Sequence, residues 1–208
     1  MTARSILVFL LGLLAAACGP LVELPGGGPA PALYTLSAVD VGTPGPKLER
    51  VRLQIEELSA DAMLATDRIA VRVGATEVKY LAAARWSDQP RRLVRDRLQE
   101  ALEGVAGLTP LSPDALEVPA DYRLKLRLRA FNAVAREDGA LTVRVEMSAL
   151  LVSAVGAEIV ASRRFAAEGR AASGKAAEVV RALDAAHGDA LRGLVDWLVA
   201  TLAPETAA

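Results

Sequence analysis

The stretch that decides the fold runs over residues 66–104 and reads TDRIAVRVGATEVKYLAAARWSDQPRRLVRDRLQEALEG. In residues 68–73, Ile, Val and Val alternate with Arg, Ala and Arg, which is the period of a strand with one buried face. Gly74 interrupts this alternation, and extended character resumes over residues 76–82. We therefore predict a β-hairpin that turns at residues 74–75.

An amphipathic helix is predicted directly after the hairpin, over residues 88–105. Ser87 or Asp88 can cap its first N–H groups, and Pro90 suits the first turn. The apolar residues of this segment form one stripe: Leu93, Val94, Leu98, Ala101, Leu102 and Val105. The stripe indicates that the helix packs onto the sheet.

Longer strands are predicted on both sides of this stretch. Residues 51–58 precede it, and residues 120–130, 141–153 and 158–166 follow it with short connections, which is typical of an antiparallel meander. Phe131 breaks the alternation of its strand. That strand either ends there or contains a bulge that turns the ring toward the core.

The remaining segments complete one domain over residues 33–203. Residues 33–38 and 108–111 are predicted short strands, and residues 175–202 form a closing helix with an apolar stripe. The sequence predicts a mixed α/β fold with a sheet of five or six strands, an antiparallel C-terminal meander and two main helices. Residues 204–208 are predicted to be a flexible tail.

The N-terminal segment has the features of an exported lipoprotein. Residues 1–17 read as a signal peptide, since their apolar run offers roughly a dozen residues where a membrane-spanning helix needs about 20. Cys18, the only cysteine, follows small residues as in a bacterial lipobox, although Ala15 stands where leucine is commoner. We interpret residues 18–32 as a lipidated cysteine and a flexible Pro/Gly tether. Gly19 after the cysteine fits the sorting pattern of outer-membrane lipoproteins.

Composition and motifs argue against nucleic-acid binding and against catalysis. The formal charge is −1, and no basic segment is rich in aromatic residues. Residues 169–175, GRAASGK, match a phosphate-loop pattern, but Ala176 lacks the hydroxyl that should bind Mg²⁺. His187 is the only histidine, so a His-rich metal site is excluded, and we interpret it as a helix-surface residue. We expect no cofactor, no metal and no enzymatic activity.

Two groups of residues are candidates for binding a partner. The basic row Arg123, Lys125, Arg127 and Arg129 is either the solvent face of a strand or a surface for anionic headgroups or an acidic partner. Arg85 and Trp86 end a strand at a helix N-terminus, where both residue types often anchor an interface. Trp86 could equally fill the core, and Trp197 is interpreted as a core residue.

Several of these segments, taken in order, resemble the ABC-type transport auxiliary lipoproteins of mammalian-cell-entry (MCE) lipid transport systems. They are TDRIAVR, Tyr80, ARWSD with its basic helix, ADYRLKLRLRAF, VEMSALLVS, VASRRF and VDWLVATL, between about Tyr34 and Leu202. The resemblance implies a lipid-anchored protein on the periplasmic side of the envelope, and Gly19 adds the expectation of the outer membrane. Its partners would be an MCE substrate-binding protein and an ABC permease and ATPase, and self-association is left open. A free-standing lipid carrier and a structural envelope lipoprotein remain alternatives.

Overall fold

The computed structural model describes residues 30–42, 48–115, 117–137 and 139–203. The predicted signal peptide, Cys18 and the C-terminal tail lie outside the described residues, as does most of the tether. By its contacts the chain divides into Met1–Ala30 and Pro31–Ala208, and everything below concerns the second unit.

A nine-stranded mixed sheet and two α-helices form this unit, within the part of the chain that is described. The strands are β1 (Ala32–Tyr34), β2 (Val51–Ile55), β3 (Ser59–Ala60), β4 (Arg68–Val73), β5 (Glu77–Trp86), β6 (Leu108–Leu111), β7 (Tyr122–Ala135), β8 (Leu141–Ser153) and β9 (Ile159–Arg170). The helices are α1 (Pro90–Glu103) and α2 (Ala176–Leu202), and a 3-10 helix covers Ala62–Leu64. The mixed α/β class is confirmed. The sheet has more strands than five or six, because elements as short as β3 are too brief to show a period.

Strand β7 is the centre of the sheet. Along one side it pairs antiparallel with β8, which pairs antiparallel with β9, so the predicted meander is confirmed. Along its other side it pairs in turn with β2, β3 and β4, all parallel to it. Three separate segments therefore share one edge of a single long strand.

The predicted hairpin and helix are both present, with one difference at the helix start. β4 and β5 pair antiparallel, and α1 begins at Pro90 as its first residue. The N-cap is Gln89, without a capping side chain, so the prediction of Ser87 or Asp88 as the cap is wrong. Asp88 Oδ1 instead accepts from the adjacent backbone N–H of Gln89 at 2.6 Å. All six residues of the predicted stripe are buried, five of them in α1 and Val105 just beyond its C-terminal end.

Both helices bury their apolar stripes in one core on the inner face of the sheet. A bulge in β7 contributes to this core, since Leu128 pairs with Met147 and Ala130 pairs with Glu146, which leaves Arg129 as the extra residue. The bulge turns Phe131 inward, where it is buried. The second of the two alternatives for Phe131 is thus confirmed.

His187 lies in this core, and its prediction as a helix-surface residue is wrong. Its side chain is 0% exposed, and its ring lies edge-on to Phe131 at 6.2 Å between centroids. It follows Leu183 by four residues and precedes Leu194 by seven, so it falls on the apolar stripe of α2. Burial lowers the pKa of His187 from 6.5 to about 4; Asp184 opposes this shift, and Arg97 adds to it.

Candidate interaction surface

The face of the sheet opposite the helices is rich in basic side chains, and we call it the basic outer face. The register of the strands places on it Arg52, Arg85, Arg123, Lys125, Arg127, Arg129, Arg144 and Arg164. Arg123, Lys125, Arg127 and Arg129 alternate with buried leucines, because successive residues of a strand point to opposite faces. The outward orientation predicted for this row is confirmed.

Part of this positive charge is neutralised by carboxylates on neighbouring strands and loops. Lys125 Nζ lies 3.5 Å from Glu56 Oε2, and Arg127 Nη2 lies 2.7 Å from Asp61 Oδ1. At the start of β7, the guanidinium of Arg52 donates to Asp121 at 2.8 Å, and this hydrogen bond lowers the pKa of Asp121 below its ordinary value. These pairs tie β2 and the β2–β4 connection to β7.

Two arginines of the row have no carboxylate partner among the described residues. Among the described residues, Arg129 Nε donates only to Ser148 Oγ, at 3.4 Å, and the Arg123 side chain forms neither an ion pair nor a hydrogen bond. Basic groups therefore exceed acidic ones on this face, although the whole chain has a formal charge of −1. The charge of the protein is polarised, with positive potential on the face that the helices leave open.

The other candidate residues, Arg85 and Trp86, point to opposite faces of β5. Arg85 lies on the basic outer face, where its Nη1 contacts both carboxylate oxygens of Asp67 at 3.0 and 3.1 Å, and its side chain is 45% exposed. Trp86 is 1% exposed in the core, with its ring 5.3 Å from that of Phe131. Only Arg85 of this pair is available to a partner.

A change of phase within β5 separates these two side chains. Tyr80 opposes Ala70 of β4, whereas Arg85 opposes Arg68, so four residues of β5 face one residue of β4. Ala83 lies in this bulge with φ of 52°, in the left-handed region. Beyond the bulge, Arg85 points outward, whereas Ala84 and Trp86 point into the core. The sequence period alone does not reveal this change.

Strand β1 fastens the start of the domain beside Arg85. Leu33 pairs with Arg85 and Tyr34 with Trp86 in a parallel register, and the N–H of Ser87 donates to the Tyr34 carbonyl at 2.7 Å. Leu33 is a large apolar residue that remains exposed. The segment that leads from the predicted tether therefore joins the sheet next to the candidate anchor.

A groove of about 620 Å³ lies at the end of the sheet where β7 begins. Its lining combines apolar and charged side chains: Pro113, Val118, Pro119, Val155, Gln54, Glu56, Glu57 and Arg123. The groove is open to solvent, and carboxylates lie along its wall. Such a lining suits a polar or mixed surface better than the chain of a lipid.

The exposed apolar residues near this groove are not among the residues that the sequence predicts as a binding site. Val155 is 83% exposed within the β8–β9 turn, and Ile159 is exposed at the start of β9. The available signal was the unusual occurrence of large apolar residues around Gly156, in a turn where polar residues are the norm.

The phosphate-loop pattern has no phosphate-loop structure. Gly169 lies inside β9, against Val143 and the Ala182 carbonyl, so only residues 171–175 connect the strand to α2. Lys175 is exposed as the N-cap of α2. Within the described ranges, no cluster of His, Cys, Asp and Glu side chains could hold a metal ion. Among the same residues, no helix has the length and hydropathy of a membrane span.

Comparison with known proteins gives one family and several similar structures. The model of a family described as "ABC-type transport auxiliary lipoprotein component" matches residues 34–194. Protein XCC0632 from Xanthomonas campestris is 23% identical, with a TM-score of 0.72 over 82% of this chain and 96% of its own. The hypothetical protein CT253 from Chlamydia trachomatis is 7% identical, with a TM-score of 0.53 over 74% of this chain and 98% of its own. These two likenesses concern the fold alone. No curated protein matches the sequence.

Proposed function

Because the chain belongs to the ABC-type transport auxiliary lipoprotein component family, we propose that it is the lipid-anchored auxiliary component of an MCE-type ABC transporter. It would act on the periplasmic side of the envelope, anchored in the outer membrane through Cys18, where it serves the movement of lipids between envelope membranes. Its partners would be the MCE substrate-binding protein and the permease and ATPase. It would contribute by binding and not by catalysis.

The observation that carries this proposal is the basic outer face. It extends across β2, β5, β7, β8 and β9 and retains two arginines without a carboxylate partner among the described residues. An exposed and charged sheet face is suited to meeting an oppositely charged partner, because complementary charge accelerates encounter and fixes orientation. We therefore assign the contact with the transporter to this face, with Arg85 as an anchor at its β1 side.

Trp86 supports this anchor from inside the domain. Its ring packs on Phe131 and holds the end of β5, and its backbone N–H donates to the Asp67 carbonyl at 2.7 Å. Asp67 is also the ion-pair partner of Arg85. We propose that Trp86 positions Arg85 and does not itself contact the partner.

Capture of the partner tests the assignment of this face. The full chain carrying Arg123→Glu and Arg129→Glu should retain at least several-fold less MCE protein than the parent, since the two substitutions reverse charges that no carboxylate partner neutralises among the described residues. Arg181→Glu is the matched control, because Arg181 is an exposed arginine on α2, on the other side of the sheet. An equal loss of capture by the double variant and by Arg181→Glu would remove the basic outer face from the interface.

Gene deletion tests the system to which the protein belongs. Loss of this protein should give the same envelope-permeability or lipid-uptake defect as loss of the partner MCE protein, and the double deletion should be no worse than either. Additive defects without capture of any MCE component would favour the independent carrier. A structural envelope lipoprotein would instead leave lipid uptake unchanged.

The anchor is tested separately by Cys18→Ser. This variant should lose metabolic labelling by a fatty acid, because it lacks the sulfur to which the lipid would be attached. Equal labelling of the variant and the parent would refute lipidation at Cys18.

A further inference from the structure

Strand β9 is a long strand with one unpaired edge. It has 12 residues, and among the described residues its only strand partner is β8. An unpaired edge presents a row of backbone N–H and C=O groups that can pair with another chain. Short strands, covering loops or unopposed charges normally prevent such pairing, so the side chains along this edge are informative.

The hydrogen bonds of β9 show which residues face the open edge. The N–H of Ala171, directly after the strand, donates to the Leu141 carbonyl of β8 at 2.9 Å. Backbone groups alternate in direction along an antiparallel strand, so the even-numbered residues direct their N–H and C=O away from β8. These residues are Ser162, Arg164, Ala166, Glu168 and Arg170, and their side chains are exposed on the basic outer face.

The charges of this edge are complementary to a second copy of the same edge in one antiparallel register. When Ala166 lies opposite Ala166 of the second copy, Arg164 lies opposite Glu168 and Ser162 lies opposite Arg170. Moving the axis to Arg164 or Glu168 puts like charges opposite each other, and placing Ala166 opposite Glu168 puts Arg164 opposite Arg170. Placing Ala166 opposite Arg164 leaves the charges without opposite partners. Directly opposed pairs of opposite charge stabilise a sheet and like charges destabilise it.

We propose that β9 pairs antiparallel with β9 of a second copy of this chain, with the two-fold axis at Ala166, to form a continuous sheet across a homodimer. In this dimer, each even-numbered residue of β9 exchanges two backbone hydrogen bonds with the residue opposite it in the second copy. The side chains of these pairs lie on the basic outer face. The contact is isologous, as a two-fold axis requires.

The existing ion pairs of each copy extend into this interface. Glu146 lies 3.3 Å from Arg164 and 2.6 Å from Arg144, and Arg144 also contacts Glu168. Pairing Glu168 with Arg164 of the second copy would join the two networks into one. Arginine and glutamate side chains would alternate along the joined network, so that each charged group would have a neighbour of opposite charge.

The inner face of the edge also permits the pairing. Helix α2 packs on β8 and β9, close to the strand at Gly169 and to the Phe165 ring at Gly193. A two-fold axis perpendicular to the sheet would place α2 and its copy on the same inner face, antiparallel to each other. This inference is independent of the transporter proposal, since it depends only on β9.

Disulfide trapping in the full chain tests the register. The two Cα atoms of a hydrogen-bonded antiparallel pair are about 5.5 Å apart, which a disulfide spans, so Ala166→Cys should form a covalent dimer within minutes of mild oxidation in detergent. Ser162→Cys is the matched control on the same edge, because the register separates its two copies by roughly 27 Å. The parent chain controls for Cys18. Equal trapping by Ser162→Cys and Ala166→Cys, or no trapping by Ala166→Cys, would overturn the proposal.

A second variant measures the unmodified assembly. Ala166→Pro removes an N–H that points to the open edge and leaves the ladder with β8 intact, so it should halve the protein mass measured by sedimentation in detergent. The thermal melt of its far-UV circular dichroism should follow that of a parent sample diluted to monomer. A folded Ala166→Pro variant that keeps the mass of the parent would refute pairing through β9.

Discussion

Replacing Trp86 and Arg85 one at a time should separate support of the core from contact with a partner. Trp86 is 1% exposed and packs on Phe131, so Trp86→Ala should lower the free energy of unfolding by about 3–5 kcal/mol, the usual cost of truncating a buried aromatic ring. Arg85→Ala removes only an exposed ion pair with Asp67 and should cost less than about 1 kcal/mol. The two neighbours thus differ several-fold in their effect on stability.

Urea unfolding of the full chain in detergent, followed by far-UV circular dichroism, measures both values. Trp86→Phe is the matched control, because it keeps a ring against Phe131 and removes only part of the indole, including an N–H that has no hydrogen-bond partner among the described residues. It should capture the partner normally, whereas Arg85→Ala should weaken capture while remaining folded. A loss from Trp86→Ala below about 1 kcal/mol would refute the core assignment. Normal capture by Arg85→Ala would remove Arg85 as an anchor.

Three further changes follow from other parts of the structure. Lowering the pH from 7 to 4 should destabilise the parent by about 3 kcal/mol through His187, because its pKa is about 4 in the folded state and 6.5 when unfolded. The unfolded state therefore binds the proton in this pH range, which favours unfolding. His187→Leu should lose this contribution in urea titrations at several pH values, and a pH profile equal to that of the parent would contradict the prediction. Gly107→Ala should lower the free energy of unfolding by more than the roughly 1–2 kcal/mol expected for Gly74→Ala. Both residues have positive φ, but only the new Cβ at 107 would collide with the Leu48 carbonyl oxygen. Equal losses in thermal melts would refute the role of this close approach. Lys175→Ala should change neither the melt nor ATP binding, since Lys175 is the exposed N-cap of α2, and micromolar ATP affinity in the parent that the variant loses would show the opposite.

The sequence period was sufficient for the long elements and insufficient for the short ones. The bounds predicted for β6 and β8 match the structure, and α2 begins one residue later than predicted, because alternation or a continuous stripe extends over each whole segment. Strand β3 has only two residues, so it carries no period. Its place beside β7 depends on the contacts of the folded sheet.

Two of the single-residue interpretations depended on context that a period does not contain. The polar type of His187 predicts a surface position, although its spacing from Leu183 and Leu194 places it on the buried stripe of α2. The sequence does not decide between core and interface for Trp86, because the bulge at Ala83 changes the phase of β5 just before it. The strand propensity of tryptophan favours neither the core nor the interface, and only the register of β5 with β4 decides between them.

The candidate surface could be predicted strand by strand but not as a whole. The basic row of β7 followed from alternation, whereas the addition of Arg144 and Arg164 required the pairing of β7 with β8 and of β8 with β9. The positions of the opposing carboxylates were also unavailable, since Glu56 and Asp61 belong to the segments that pair with the other edge of β7. The excess of positive charge on this face is a property of the register.

The same local feature, a β-bulge, shapes both the core and the basic outer face. A bulge in β5 and a bulge in β7 each turn an aromatic ring inward, Trp86 in one case and Phe131 in the other, and the two rings meet at 5.3 Å. Each bulge also leaves an arginine on the outer face, at Arg85 and at Arg129. Packing of the two rings therefore fixes the positions at which both strands present their arginines. A partner that recognises this face would recognise a spacing set by the core, so substitutions inside the domain can alter binding without any change on the surface.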